Sequence, residues 1–275
     1  MNSSALVDPL FRLPFLTGLT FAAVLPVLGM YLRLREEWLA ALAFAQVAAA
    51  GSLASSILGL PAQAGALTCA CGAAALKGWI ARAGNNGYAL LMIIGWACAI
   101  LMLANVPIAE HLGHALFDGQ LYFTGIGQLA IALLFLGATA ALLPWLSRPL
   151  LLERMFPDFF RASGLPARRY HVIFDLLIAA GLALATSCVG VFAAFGLVFV
   201  PSMIAYRIGP SWKASVVIAA GFSLGAYLVA FAAALVFDQP FGPVLVITLA
   251  ALALSVSLVL LALRRRAPTT VTVPS

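Results

Sequence analysis

Charge is what this chain has least of. Of its 275 residues only 9% are Asp, Glu, Lys or Arg, while 64% are hydrophobic. A water-soluble domain carries about 25% charged and about 45–50% apolar residues. This composition cannot cover a water-facing surface, and it calls for an all-α polytopic membrane protein. Histidine and cysteine are also scarce, at 3 and 4 residues. Cys69, Cys71, Cys98 and Cys188 lie in or beside apolar runs, and C-A-C is not the C-x-x-C spacing of a zinc or thioredoxin site. They are expected to pack as small apolar side chains, with no disulfide framework. The phosphate-binding pattern G-x-x-x-x-G-K-[ST], H-E-x-x-H and a pair of intramembrane aspartates are all missing. The chain is therefore not expected to hydrolyse ATP or to be an intramembrane enzyme.

Long apolar runs are what it has in abundance. A spanning helix needs about 20 such residues. The runs are 13–33, 38–58, 62–82, 87–106, 121–147, 170–188, 189–207, 213–236 and 241–263. The stretch 170–207 is too long for one helix across a core of about 30 Å, and is either two spans or one span and a re-entrant half. The expectation is thus eight or nine crossings, in a single transmembrane domain over 1–275. The first run is long for a cleavable signal and its basic cluster follows it, so it reads as a retained helix.

The charges orient these spans. Arg33, Arg35, Lys77, Arg82, Arg148, Arg154, Arg161, Arg168, Arg169, Arg207, Lys213, Arg264, Arg265 and Arg266 fall on one side of a nine-span chain, and only Arg12 on the other. The positive-inside rule then puts the N-terminus in the periplasm and the C-terminus, with the tail 264–275, in the cytoplasm. The net charge of +6 records orientation, and no nucleic-acid partner is expected. Counting 189–207 as non-crossing would strand Arg207 and Lys213 outside, which favours nine crossings.

Asp175 is the exception among the acids, lying inside a span four residues after His171 and so on the same helix face. It is either an end-of-helix acid near Arg168 and Arg169, or a proton or substrate contact inside the bundle. The sizeable cytoplasmic loop is 148–169, which contains the amphipathic stretch MFPDFFRASG. Pro157 and Asp158 suit a helix start and Gly164 a helix stop. Beside them Met155, Phe156, Phe159 and Phe160 supply apolar anchors next to Arg161. Such a helix can lie on lipid or dock a soluble partner.

The segment LAALAFAQVAAAG, from Leu39 to Gly51, is mostly alanine and glycine and has one polar side chain, Gln46. Small residues let membrane helices approach closely, and amides bond across them. Gln46 is either such a clasp or part of a transport path. His111 and His114, with Glu110 and Asp118 nearby in EHLGHALFD, are the candidate metal ligands, or else a polar cluster of an outer loop.

Four motifs in order resemble one family. These are VGVFAAFGLVFVPSMIAYR (Val189–Arg207), FDQPFGP (Phe237–Pro243), MFPDFFRASGLP (Met155–Pro166) and LFDGQLYFT (Leu116–Thr124), the last with a glycine and an aspartate transposed. They are similar to the permease subunits of bacterial ABC importers of zinc, manganese or iron, the ABC-3 family. The resemblance implies a pair of permeases, a cytoplasmic ATP-binding subunit that carries the ATP, and a periplasmic solute-binding protein. The chain itself then needs no cofactor. The resemblance also implies that Met155, Phe156, Pro157, Asp158, Phe159, Arg161 and Gly164 form the coupling helix that docks on the ATPase. Pro201, in the Pro-Ser-x-x-Ala part of the first motif, becomes a path candidate with Asp175.

The chain departs from the family on its second helix. Relatives carry an aspartate there and, four residues on, a histidine that suits a transition ion. Ala40 and Phe44 hold those positions here, with Gln46 two residues beyond on another face. The departure favours cargo that crosses as a metal chelate, such as iron–siderophore, over a bare ion. The alternative class is a secondary transporter working without an ATPase, for which Asp175 is the one buried ionisable candidate.

Overall fold

A computed structural model describes residues 9–80, 85–106, 113, 119–156, 158 and 167–266. In a bilayer every backbone polar group must be satisfied within the span, so apolar runs become helices. Nine α-helices form among the described residues: α1 Arg12–Leu34, α2 Leu39–Ile57, α3 Ala62–Ile80, α4 Asn85–Asn105, α5 Ile126–Met155, α6 Ala167–Val189, α7 Val191–Ile208, α8 Trp212–Phe237 and α9 Phe241–Arg266. Eight are long and apolar enough to cross a membrane. The other, α3, carries Gln63, Thr68, Gly72 and Lys77, which lower its hydropathy.

Contacts between helix ends fix the directions. Arg35, just past α1, bonds Asp175 near the start of α6. Lys77 near the end of α3 reaches Glu37 ahead of α2. Asn85 at the start of α4 and Arg154 at the end of α5 both meet Glu36. Arg33 lies over Tyr206 near the end of α7, and Tyr31 packs edge-on against Trp212 at the start of α8. Arg207 and Leu261 of α9 share one cleft. Successive helices therefore alternate in direction, and the basic residues described, Arg12 excepted, gather at one end. At the opposite end Phe11, Tyr122, Phe231 and Phe241 form a chain of aromatic contacts.

The stretch 170–207 is two antiparallel helices divided at Gly190. Its φ of 92° and ψ of 161° belong to a region that essentially only glycine adopts. One expectation needed correction: the helix of the fifth run does not cover 121–147 but starts at Ile126 and continues to Met155 through Pro144 and Pro149. A proline forfeits one helical hydrogen bond, but a membrane helix tolerates it when neighbours and local adjustments re-satisfy the backbone. The leucines that follow favour helix. At 1.5 Å per residue α5 is about 45 Å long, well over a hydrocarbon core of about 30 Å. Its charged last turn, with Glu153 and Arg154, thus falls in surplus length.

Burial separates a centre from a rim. The apolar windows of α1, α2 and α6 are each 72% buried, against 22% for α4 and α5 and 17% for α9. The small residues of α2 account for its central place. A Cβ added to Gly51 would lie 2.6 Å from Cys69 Cβ, and one added to Gly65 would lie 2.5 Å from Ser55 Cβ. α2 and α3 therefore touch backbone to backbone, which larger side chains would prevent. Of the cysteines only Cys188 is buried; Cys69 and Cys98 are exposed and Cys71 is half-buried.

Candidate functional site

The described residues gather most of their ionic chemistry around the α1–α2 turn, Arg35-Glu36-Glu37. Arg35 Nη1 donates to Asp175 Oδ1 at 2.9 Å, and its Nη2 lies 2.6 Å from Glu37 Oε2. Lys77 Nζ lies 2.7 Å from Asp175 Oδ2 and 2.8 Å from Glu37 Oε2. Two cations and two carboxylates thus close a neutral ring between the α1–α2 turn, α3 and α6. The Arg35, Lys77 and Asp175 side chains are only 8%, 9% and 3% exposed. Burial works against the Arg35 charge, but Asp175 and Glu37 outweigh it and hold its pKa above the ordinary arginine value. Phe174 adds a cation–π face 5.3 Å from the Arg35 guanidinium. An open cleft of about 420 Å³ adjoins the ring, edged by Arg168 and His171.

Asp175 is accordingly paired, and not with Arg168 or Arg169. Its partners come from the turn after α1 and from α3. His171 shares its helix but pairs elsewhere, with Nε2 2.7 Å from Glu153 Oε2 of α5. Sequence reasoning missed Arg35, Glu37 and Lys77 as members of this ring. Lys77 did carry a signal, because a lysine at the end of an apolar span needs an anionic partner or an exit to water.

The α2 candidates lie inside the protomer. Ala40 and Phe44 have no exposed surface, and the Phe44 ring meets Tyr88 of α4 edge-on at 5.9 Å. Gln46 is 4% exposed and packs where α4 places Gly95, with Oε1 lacking a hydrogen-bond partner. Pro201 is buried in α7, one residue before Ser202, whose hydroxyl donates to the Val198 carbonyl at 2.8 Å. Of the docking candidates, Met155 and Phe156 close α5 with 66% and 57% of their surfaces exposed, and Asp158 is exposed as well. Pro157, Phe159, Arg161 and Gly164 lie outside the described residues, as do His111 and His114. Among the described residues no group of three or more His, Cys, Asp or Glu side chains could hold a metal.

This arrangement joins helix ends and exposes apolar side chains at the end of α5. The chain is 24% identical over 252 residues to the chelated iron transport system membrane protein YfeD of Yersinia pestis, covering 88% of this chain and 84% of that protein. Its fold matches PsaBC from Streptococcus pneumoniae, solved in complex with a Fab, with a TM-score of 0.79 and 20% identity over 90% of this chain and 91% of that one. The model of the ABC 3 transport family matches residues 8–260. The chain therefore belongs to the ABC 3 transport family and is a multi-pass membrane permease of it.

Proposed function

We propose that this chain is the inner-membrane permease subunit of an ATP-binding-cassette importer that brings a metal ion or metal chelate into the cytoplasm. The observation that carries this reading is the family match across nearly the whole chain. The charged end of the bundle is the cytoplasmic one, by the positive-inside rule. A cytoplasmic ATP-binding subunit hydrolyses ATP, a periplasmic solute-binding protein delivers the cargo, and two permeases, as a homodimer or a related pair, form the path. Met155 to Gly164 is the coupling segment. The exposed Met155 and Phe156 support docking there, since exposed apolar side chains next to charge suit a protein partner.

Alternating access switches the path between the two sides. Lining by Ala40, Phe44 and Gln46 requires α4 to part from α2, because these side chains are enclosed between helices in this conformation. Ala40 and Phe44 offer no metal-binding atoms, which favours chelated iron over a bare ion, and the chelated-iron relative supports the same preference. A secondary transporter would need a free buried acid, and Asp175 is already bound to two cations.

The test is uptake into proteoliposomes containing the permease, its ATPase and its binding protein. Free zinc, manganese and ferrous iron would be compared with ferric citrate and a ferric siderophore. Transport of the iron chelates above the bare ions is expected. Preferred transport of a bare ion would refute the chelate preference, and no ATP-driven uptake of any metal would refute the importer.

A further inference from the structure

The α1–α2 turn carries two kinds of ionic contact. In the ring Arg35, Lys77 and Asp175 are buried, while Glu37 is 23% exposed and sits with them at the wall of the cleft. The two contacts made by the last turn of α5 are more exposed, the first of them fully so. Arg154 pairs with Glu36, with side chains 51% and 73% exposed. Glu153 pairs with His171, with side chains 32% and 29% exposed. Water replaces the partner of an exposed charge readily, whereas an enclosed charge has no such substitute. The open pairs can therefore break and re-form while the ring persists.

The Glu36 backbone adds direction. Its φ of 60° is uncommon for a residue with a side chain and survives where surrounding contacts enforce it. Asn85 of α4 donates to its carbonyl at 3.0 Å. The side chain thus leaves a held backbone and reaches α5, while the next residue, Glu37, points into the ring. One turn therefore joins a fixed element to a detachable one. The detachable one is the helix end that leads directly into the segment read as docking the ATPase.

We propose that the end of α5 is a releasable clasp. The pairs Arg154–Glu36 and Glu153–His171 open and close during each transport cycle, while the enclosed ring holds α1, α2, α3 and α6 together. Arg154 and Glu36 are positioning residues: they touch no cargo, and they decide when the ATPase-facing end of α5 moves with the bundle. This inference rests on the proposed permease function.

The experiment bridges the clasp in the assembled transporter. Cysteines replace Glu36 and Arg154 in a variant lacking the four native cysteines, and a short bis-methanethiosulfonate joins them reversibly. Radiolabelled ferric citrate and ferrous iron report uptake in proteoliposomes that also hold the ATPase and binding protein. Bridging is expected to cut ATP-driven uptake at least about tenfold, because one state is withheld from the cycle, and reduction is expected to restore it. Uptake by the bridged protein at the unbridged rate would overturn the clasp, as would failure of the two cysteines to bridge at all. A second variant set removes dependence on the cysteine background. Glu36→Arg and Arg154→Glu should each impair uptake, and the double exchange should recover to within about twofold of the unaltered complex. A double exchange as impaired as either single change would also overturn the proposal. If the unaltered complex shows no ATP-driven uptake, the permease reading itself fails, which is a distinct result.

Discussion

Replacing Asp175 by asparagine isolates the contribution of the enclosed ring. In the folded protein the ring is neutral, with Arg35 and Lys77 balanced by Glu37 and Asp175. Asp175→Asn keeps the shape and leaves two cations facing one carboxylate. Removing one partner of a buried pair costs about 3–5 kcal/mol. Glu37 still contacts both cations, which places the loss near the lower figure, about 3 kcal/mol. For a large domain each kcal/mol moves the midpoint by about 2–4 °C, so a fall of roughly 6–12 °C is expected. The assay is thermal unfolding of the purified protein in detergent, followed by intrinsic tryptophan fluorescence at one fixed scan rate. Two comparisons sharpen it. Arg154→Ala removes an exposed pair worth about 0–1 kcal/mol and should change the midpoint little. Lys77→Met combined with Asp175→Asn restores charge balance and should be more stable than Asp175→Asn alone. A midpoint for Asp175→Asn as close to the unaltered protein as that of Arg154→Ala would refute the reasoning, and so would simple addition of the two losses in the double variant.

Gly51→Val should disrupt the α2–α3 crossing, where a Cβ already meets Cys69, while Gly221→Ala, with nothing within 4 Å, should be neutral; unfolding midpoints separate the two. Gly190→Ala should cost about 1–3 kcal/mol by placing a side chain at a backbone conformation that glycine alone adopts easily, read as a lower midpoint and reduced membrane yield. Phe159→Ala with Arg161→Ala should leave the permease in the membrane but abolish its stimulation of the ATPase and cargo uptake. Unchanged stimulation and uptake would remove the coupling assignment.

The crossings were legible in the sequence because bilayer thickness sets helix length and hydrocarbon excludes charge. The basic residues other than Arg12 sorted to one end for the same reason, and the structure gathers the described ones among them there. The division of 170–207 was open, since apolar content alone cannot distinguish two antiparallel helices from a span and a half. Gly190 decides it through its backbone geometry, which hydropathy does not encode. The end of α5 lies past 147 because the helix outlasts the uncharged run: the leucines after Pro149 sustain it into the turn with Glu153 and Arg154, where hydropathy alone stops. The role of Asp175 was hidden for another reason. Arg35 lies 140 residues away in sequence, so no local spacing reveals the pair. The local sequence offered only Arg168 and Arg169 as partners, and His171, on the same face, bonds Glu153. The alanines of α2 were read correctly as close-packing residues. Gln46, whose amide suggested either a clasp or a path, sits against α4 with its Oε1 unpartnered.

The central claim is that this chain moves its cargo only when a separate ATPase drives it. Proteoliposomes holding the permease alone, and others holding it with the ATP-binding subunit and the binding protein, would be loaded with ATP and given radiolabelled ferric citrate. The account predicts uptake in the complete assembly and none by the permease alone, with or without a proton gradient. Sustained gradient-driven uptake by the permease alone would contradict it.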